Sequence, residues 1–132
     1  MKKLKKNLLI LFLLSFFISF SQKDSIVTYY NFKNKITKKK ANVKFVEVAT
    51  KKSDSLWLFR RFRDNGKIIT YWHSKSSKNK QKIGQSVLFN YKDSIASIVY
   101  YNRKGLKHGK FTSWFENREI NSEGFFIDGK KE

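Results

Sequence analysis

Three copies of one phrase, an aromatic residue followed six positions later by isoleucine, recur in the second half of the chain. Successive copies start 27 and then 25 positions apart. A recurring period of this size indicates stacked supersecondary units. The phrase therefore predicts a repeat architecture, with its recurring aromatic residues in the core between units. The three copies are Phe62 to Ile68, Phe89 to Ile95 and Trp114 to Ile120.

Short runs of β-forming residues, separated by turn residues, predict the units themselves. In the run 56–63, alternation places Leu56 and Leu58 on one face, with Trp57 and Phe59 on the other. The Asn65-Gly66 pair that follows supplies the positive φ angles of a tight primed turn. No segment has a sustained helical period. The predicted fold class is all-β, an antiparallel meander of β-hairpin repeats that forms an elongated, largely single-layer sheet.

Polar segments divide the chain into regions. Residues 22–55 read as N-terminal strands and polar loops, including the charge run Lys38-Lys39-Lys40. Residues 56–132 read as the hairpin repeats. Within them, 74–82 contains no apolar residue and is predicted to be a mobile loop, longer than an ordinary hairpin connection.

The first 21 residues have the pattern of a secretory signal peptide. Lysines precede an apolar run from Leu8 to Phe20, and small residues at Ser19 and Ser21 predict cleavage between Ser21 and Gln22. The run has 13 residues, whereas a membrane span needs about 20. The expected location is periplasmic or secreted, with no transmembrane segment after cleavage. Because the chain has no cysteine, a lipoprotein anchor, a disulfide and a thiolate metal site are excluded.

The charge balance is strongly positive. The sequence has 29 Lys and Arg against 10 Asp and Glu, a formal net charge of +19. Cleavage would remove four lysines and no acidic residue, leaving 25 basic residues and a net charge near +15. Such a field favours an acidic protein partner or an anionic envelope component, either a lipid headgroup or a glycan; nucleic acid is not an expected partner. Codon usage in an A+T-rich genome is the alternative explanation for the many lysines.

Candidate contact residues combine aromatic rings with cations. Such mixtures can stack on a ligand while holding an anion. A catalytic or metal-binding constellation is not apparent: His73 and His108 are isolated, and there is neither a Gly-x-Ser-x-Gly elbow nor a phosphate loop. We therefore predict no enzyme activity, no cofactor and no metal. The predicted contact residues are Trp57, Arg60, Arg61, Arg63 and Trp72.

The segment 109–117, with Glu123-Gly124-Phe125 and Asp128-Gly129-Lys130 after it, resembles the bacterial variant of the MORN repeat. Residues 62–67 look like an earlier copy. Arg118-Glu119 replace the usual Gly-Lys, which predicts a longer or differently shaped hairpin there. The pattern's final Gly is missing after Glu132, as in a truncated gene or a capping repeat.

The resemblance implies an elongated sheet of hairpins of the kind found in exported proteins of Bacteroidota. Some relatives are labelled as YwqK-type antitoxins. The expected function is an exported, non-catalytic repeat module that binds or scaffolds a partner at the cell envelope. The alternative is an antitoxin-like or immunity protein that neutralises a partner toxin.

Overall fold

Nine antiparallel strands form one sheet in which every strand pairs with its neighbours in the sequence. This computed structural model describes residues 24–132, so the expected signal peptide lies outside the described residues. The predicted all-β meander is confirmed. A short 3-10 turn, Lys40–Asn42, precedes the second strand. The strands are β1 (Ser25–Tyr30), β2 (Phe45–Ser53), β3 (Leu56–Arg63), β4 (Ile68–Ser74), β5 (Ile83–Phe89), β6 (Ile95–Tyr101), β7 (Gly109–Trp114), β8 (Ile120–Ile127) and β9 (Lys130–Lys131).

The repeated aromatic-to-isoleucine phrase marks the turn end of three hairpins. In each copy the aromatic residue pairs directly with the isoleucine, and a register shift separates that pair from the rest of the ladder. Such a shift is a β-bulge, which bends the strand and increases its twist. Tyr30 and Ile36 form a fourth bridge with the same six-residue step, which the sequence interpretation missed.

One turn geometry recurs five times. In each turn the N–H of the first residue donates to the carbonyl of the fifth, and the N–H of the fourth donates to the carbonyl of the first, at 2.8 to 3.2 Å. The fourth residue has a positive φ. This is a type I turn followed by a left-handed bulge residue, a common three-residue hairpin loop. The turns begin at Asn31, Arg63, Asn90, Asn102 and Phe115, and their left-handed residues are Asn34, Gly66, Asp93, Gly105 and Arg118.

This geometry corrects two predictions. The primed turn expected at Asn65-Gly66 is wrong, because only Gly66 has a positive φ there. A turn with two positive φ angles, as the primed type requires, instead joins β8 to β9, at Asp128 (46°) and Gly129 (87°). The Arg118 turn is neither longer nor differently shaped, since Arg118 adopts φ 70° in place of the usual glycine.

Arg118 is therefore a strained residue whose replacement should stabilise the protein. A left-handed conformation costs a non-glycine residue about 1–2 kcal/mol, and part of the gain on changing to glycine is lost to unfolded-state entropy. Arg118→Gly is expected to raise the free energy of unfolding by about 0.5–1 kcal/mol, measured by urea denaturation. Arg103→Gly is the control, because Arg103 is exposed in the equivalent Asn102 turn without a positive φ. A stability loss in both variants would contradict the assignment of strain.

The two faces of the sheet bury different residues. We call the side that bears Phe59, Trp72, Phe111 and Phe126 face A, and the opposite side, with Val48 and Val87, face B. The fully buried side chains include Phe59 on face A and Val48 and Val87 on face B. The aromatic residues of the repeated phrase are only half-buried, so their expected place in the core is wrong. They lie at the hairpin ends, whereas the core is concentrated on the central part of β2–β5. The half-buried residues are Phe62, Phe89 and Trp114.

The polar segment between β4 and β5 does not extend away from the sheet as expected of a mobile loop. It comprises residues 75–82 and folds back over face A. The ammonium of Lys80 donates to Tyr30 Oη at 2.7 Å and to the carboxylate of Glu47. Ser74 Oγ donates to the carbonyl of Asn79. Charged and hydrogen-bonding contacts, not apolar ones, thus hold this loop against the first three strands.

Candidate binding face

Aromatic rings run across face A from the first strands to the last. Phe59 on β3 and Trp72 on β4 are cross-strand partners and stack with centroids 5.1 Å apart and planes 7° apart. Phe111 on β7 and Phe126 on β8 meet at 5.0 Å and 54°. Gly124 makes room for Phe111, because a Cβ there would approach Cε1 of the ring to 2.7 Å. The pairing of alternate residues places these rings on one side of the sheet.

Cationic side chains lie over these rings. Each places its charged group within about 6 Å of a ring centroid, the distance at which the ring quadrupole attracts a cation. Face A is therefore both aromatic and basic. The contacts are Arg61 over Tyr30 and Phe45 (4.6 and 5.5 Å), Lys80 over Tyr30 and Phe59 (5.3 and 5.9 Å), Lys82 over Trp72 and Tyr101 (5.6 Å each), Lys107 over Phe126 (5.1 Å) and Lys131 over Phe111 (5.0 Å).

Over β1–β3, which we call the N-terminal half of face A, these cations have a carboxylate partner. Glu47 is only 4% exposed, and it forms ion pairs with Lys80 and with Arg61, the latter at 3.9 Å. Burial disfavours the Lys80 ammonium, yet its contacts with Glu47 and Tyr30 outweigh this and raise its pKa. Arg61 also donates to Asn34 at 2.6 Å. In this half of the face Glu47 is therefore shared by two cations, whose charges it partly offsets within the fold.

Over β4–β8, which we call the C-terminal half of face A, the cations lack such partners. Among residues 24–132, the ammonium groups of Lys82, Lys107 and Lys131 form no ion pair with a carboxylate. Burial lowers the pKa of Lys82, and the nearby charge of Lys107 lowers it further. Three positive charges are thus held on the sheet surface without compensation.

The acidic residues are used elsewhere, largely at the edge formed by successive turns. Three exposed ion pairs lie along this edge. The first joins the segment before β2 to the β3–β4 turn, the second joins that turn to the β5–β6 turn, and the third joins the β5–β6 turn to the β7–β8 turn. Exposed pairs of this kind stabilise a protein by about 0–1 kcal/mol each. Their carboxylates lie at the turn edge and not on face A, so the C-terminal half of face A remains basic. The pairs are Lys44–Asp64 at 3.2 Å, Lys67–Asp93 at 2.9 Å and Lys92–Glu116 at 3.2 Å.

The predicted contact residues do not form one surface. Strand alternation puts Trp57, Arg61, Arg63 and Trp72 on face A and Arg60 on face B. Arg60 donates to Thr50 at 3.2 Å, and burial lowers its pKa. Trp72 is 7% exposed and belongs to the core, so its expected position at the surface is wrong, and its role in binding stays a prediction.

The three uncompensated lysines of face A were missed by sequence reasoning. Lys82 ends a loop that reads as solvated, and Lys107 and Lys131 lie in or beside turns. The strands that carry Phe111 and Phe126 pair in a register that puts both rings on one face, which the sequence pattern did not indicate. Nothing local indicates that lysines from the β4–β5 loop, the β6–β7 connection and β9 lie over rings of one face.

Residues 24–132 contain neither a cluster of metal ligands nor a helix that could cross a membrane. No group of three or more His, Cys, Asp or Glu side chains is arranged to hold a metal ion in this range. His108 lies 3.3 Å from Asp128 without a third ligand. Helices with the length and apolarity needed to cross a bilayer are likewise absent from the described part.

Comparisons with known proteins leave the family open. No family model and no curated protein matches the sequence. Two solved structures of TarM are similar in fold, one of them a mutant of the S. aureus protein in complex with Fondaparinux, alpha-GlcNAc-glycerol and UDP. They are 19% and 18% identical, with a TM-score of 0.46, and the match covers 90% of this chain. The chain spans only 23% of either TarM chain, and this likeness supports no statement on activity.

Proposed function

We propose that this protein is an exported, non-catalytic β-hairpin repeat module that binds an anionic partner at the cell envelope. The observation that carries this proposal is the separation of charge. Carboxylates are paired at the turn edge and inside the N-terminal half of face A, whereas lysines at its C-terminal half have no acidic partner in the described range. An uncompensated basic surface attracts anions over several ångströms and raises the rate of their encounter.

Export is supported by the sequence of residues 1–21, and the repeat character by the five turns of one geometry. The resemblance to MORN repeats is compatible with this fold and stays a prediction. The non-catalytic character stays a prediction from the sequence, which has neither a Gly-x-Ser-x-Gly elbow nor a phosphate loop.

Binding of the purified protein to anionic and neutral probes tests the proposal. The anionic probes are a heparin-type oligosaccharide and phosphatidylglycerol vesicles, and their neutral counterparts are dextran and phosphatidylcholine vesicles. We expect binding to at least one anionic probe at low ionic strength, weakening as salt is raised toward 0.5 M because the Debye length falls to about 4 Å. Absence of binding to both anionic probes at low salt would overturn the proposal.

A further inference from the structure

The uncompensated lysines of face A form a row that crosses the strands. Lys82 lies over rings on β4 and β6, Lys107 over a ring on β8 and Lys131 over a ring on β7. We propose that this lysine row binds a linear acidic glycan laid across strands β4–β8. The inference rests on the proposed function and names the chemical class of its partner.

The rings hold these lysines without neutralising them. A carboxylate partner would cancel the charge of an ammonium, as Glu47 does for Lys80. An aromatic face attracts the ammonium through its quadrupole but has no net charge. Each lysine of the row is therefore positioned and still fully attractive to an incoming anion. Restricting flexible side chains before binding lowers the entropy that binding must overcome.

The row also contains repulsion that an anion would relieve. Lys82 is half-buried, and Lys107 is close enough to disfavour its charged form. An acidic group placed between the two ammonium groups would offset both effects. Free lysine pairs on a fully exposed surface would have less to gain, because water already screens them.

The dimensions favour an extended ligand over a single anion. Neighbouring strands lie about 4.8 Å apart, so the four steps from β4 to β8 span about 19 Å. A lone phosphate or carboxylate can contact only one or two members of such a row. A linear polymer with repeated acidic groups can contact all three at once, and each further contact is then intramolecular.

The positions of the exposed aromatic residues favour a glycan over a membrane or a nucleic acid. Interfacial insertion and base stacking both need accessible rings. On face A the rings beneath the row are buried or half-buried and are covered by lysines. The exposed aromatic residues are in turns or on face B. They are Phe32, Tyr91 and Phe115 in turns and Tyr100 and Phe125 on face B.

Lysine footprinting of the unmodified protein is the first test. An amine-reactive label is applied with and without a heparin-type oligosaccharide, and modification is quantified by peptide mass spectrometry. We expect the oligosaccharide to protect Lys82, Lys107 and Lys131 and to leave Lys38, Lys39 and Lys40 unprotected. Equal protection of both groups, or protection of the second alone, would overturn the inference.

Two triple variants with the same loss of charge provide the second test. Lys82→Gln, Lys107→Gln and Lys131→Gln together are expected to weaken oligosaccharide binding by about tenfold or more at 0.15 M salt. Lys38→Gln, Lys39→Gln and Lys40→Gln together should weaken it by about threefold or less, because those exposed side chains lie between β1 and β2, at the opposite end of the sheet from β7 and β8. Circular dichroism checks that both variants stay folded. If one does not, footprinting of the unmodified protein tests the inference by itself.

Competing ligands separate this inference from the proposed function. Equal weakening by both triple variants would overturn the lysine row while anion binding stands. Binding to phosphatidylglycerol vesicles but not to the oligosaccharide would replace the glycan by a membrane surface. Stronger binding to single-stranded DNA of equal charge would also overturn it. Failure of every anionic probe would remove the proposed function and the inference together.

Discussion

Replacement of Phe59 by alanine is expected to lower the free energy of unfolding by about 3–5 kcal/mol. Phe59 is 1% exposed, stacks on Trp72 and lies beneath the loop that carries Lys80. Truncation would leave a cavity on face A. A single-layer sheet has no second layer that could move inward to fill it. Since small domains are stable by about 5–15 kcal/mol, this one change removes a large share of the total. Urea denaturation monitored by tryptophan fluorescence measures it.

Phe125→Ala is the matched control for this prediction. Phe125 is on face B and is 47% exposed, so its removal loses only about half as much buried area as removal of Phe59. The expected cost is about 1–2 kcal/mol. If the two variants lost equal stability, the placement of the core at the Phe59–Trp72 stack would be contradicted. Phe59→Leu should fall between them, because it retains part of the buried volume.

The fold class was predictable because its signals are local. Alternation along the run 56–63 and turn residues between runs define hairpins without long-range information. The shared turn geometry also has a local sequence pattern, although the Asn-Gly pair occurs in only one of the five turns. Asn31, Asn90 and Asn102 each accept backbone N–H groups two and four residues ahead through their side-chain oxygen. This Asx pattern, with Asn, Asp or Gly three positions on, was visible in the sequence.

Burial of particular residues was not predictable in the same way. Trp72 is buried because it stacks on Phe59, and Lys82, from the loop folded over face A, covers its ring. That loop is held by Lys80, whose partner Glu47 is 33 positions away in the sequence. A polar segment gives no local sign of such a contact. The lysine row depends likewise on two connections and on β9, which bring three lysines to one face.

Replacement of Glu47 by glutamine should have the second large effect. Glu47 is the only carboxylate paired with Lys80 and Arg61 in the described range, and it joins the β4–β5 loop to β2. Removal of one partner from a buried ion pair costs about 3–5 kcal/mol, but Lys80 and Arg61 both reach solvent. We therefore expect a loss of about 2 kcal/mol, measured by urea denaturation. Asp64→Asn, in the exposed pair with Lys44, should cost less than about 1 kcal/mol.

The alkaline dependence of stability distinguishes loss of this ion pair from a packing defect. The folded protein raises the pKa of Lys80 above its ordinary value. Its contribution is fully present below that ordinary value and is lost as pH rises through the raised pKa. The unmodified protein should thus lose stability above about pH 10.5 through this group, and Glu47→Gln should lose less over the same range. The contrary result is that Glu47→Gln and the unmodified protein lose the same amount of stability between neutral and alkaline pH. Glu47 would then stabilise the loop by packing alone.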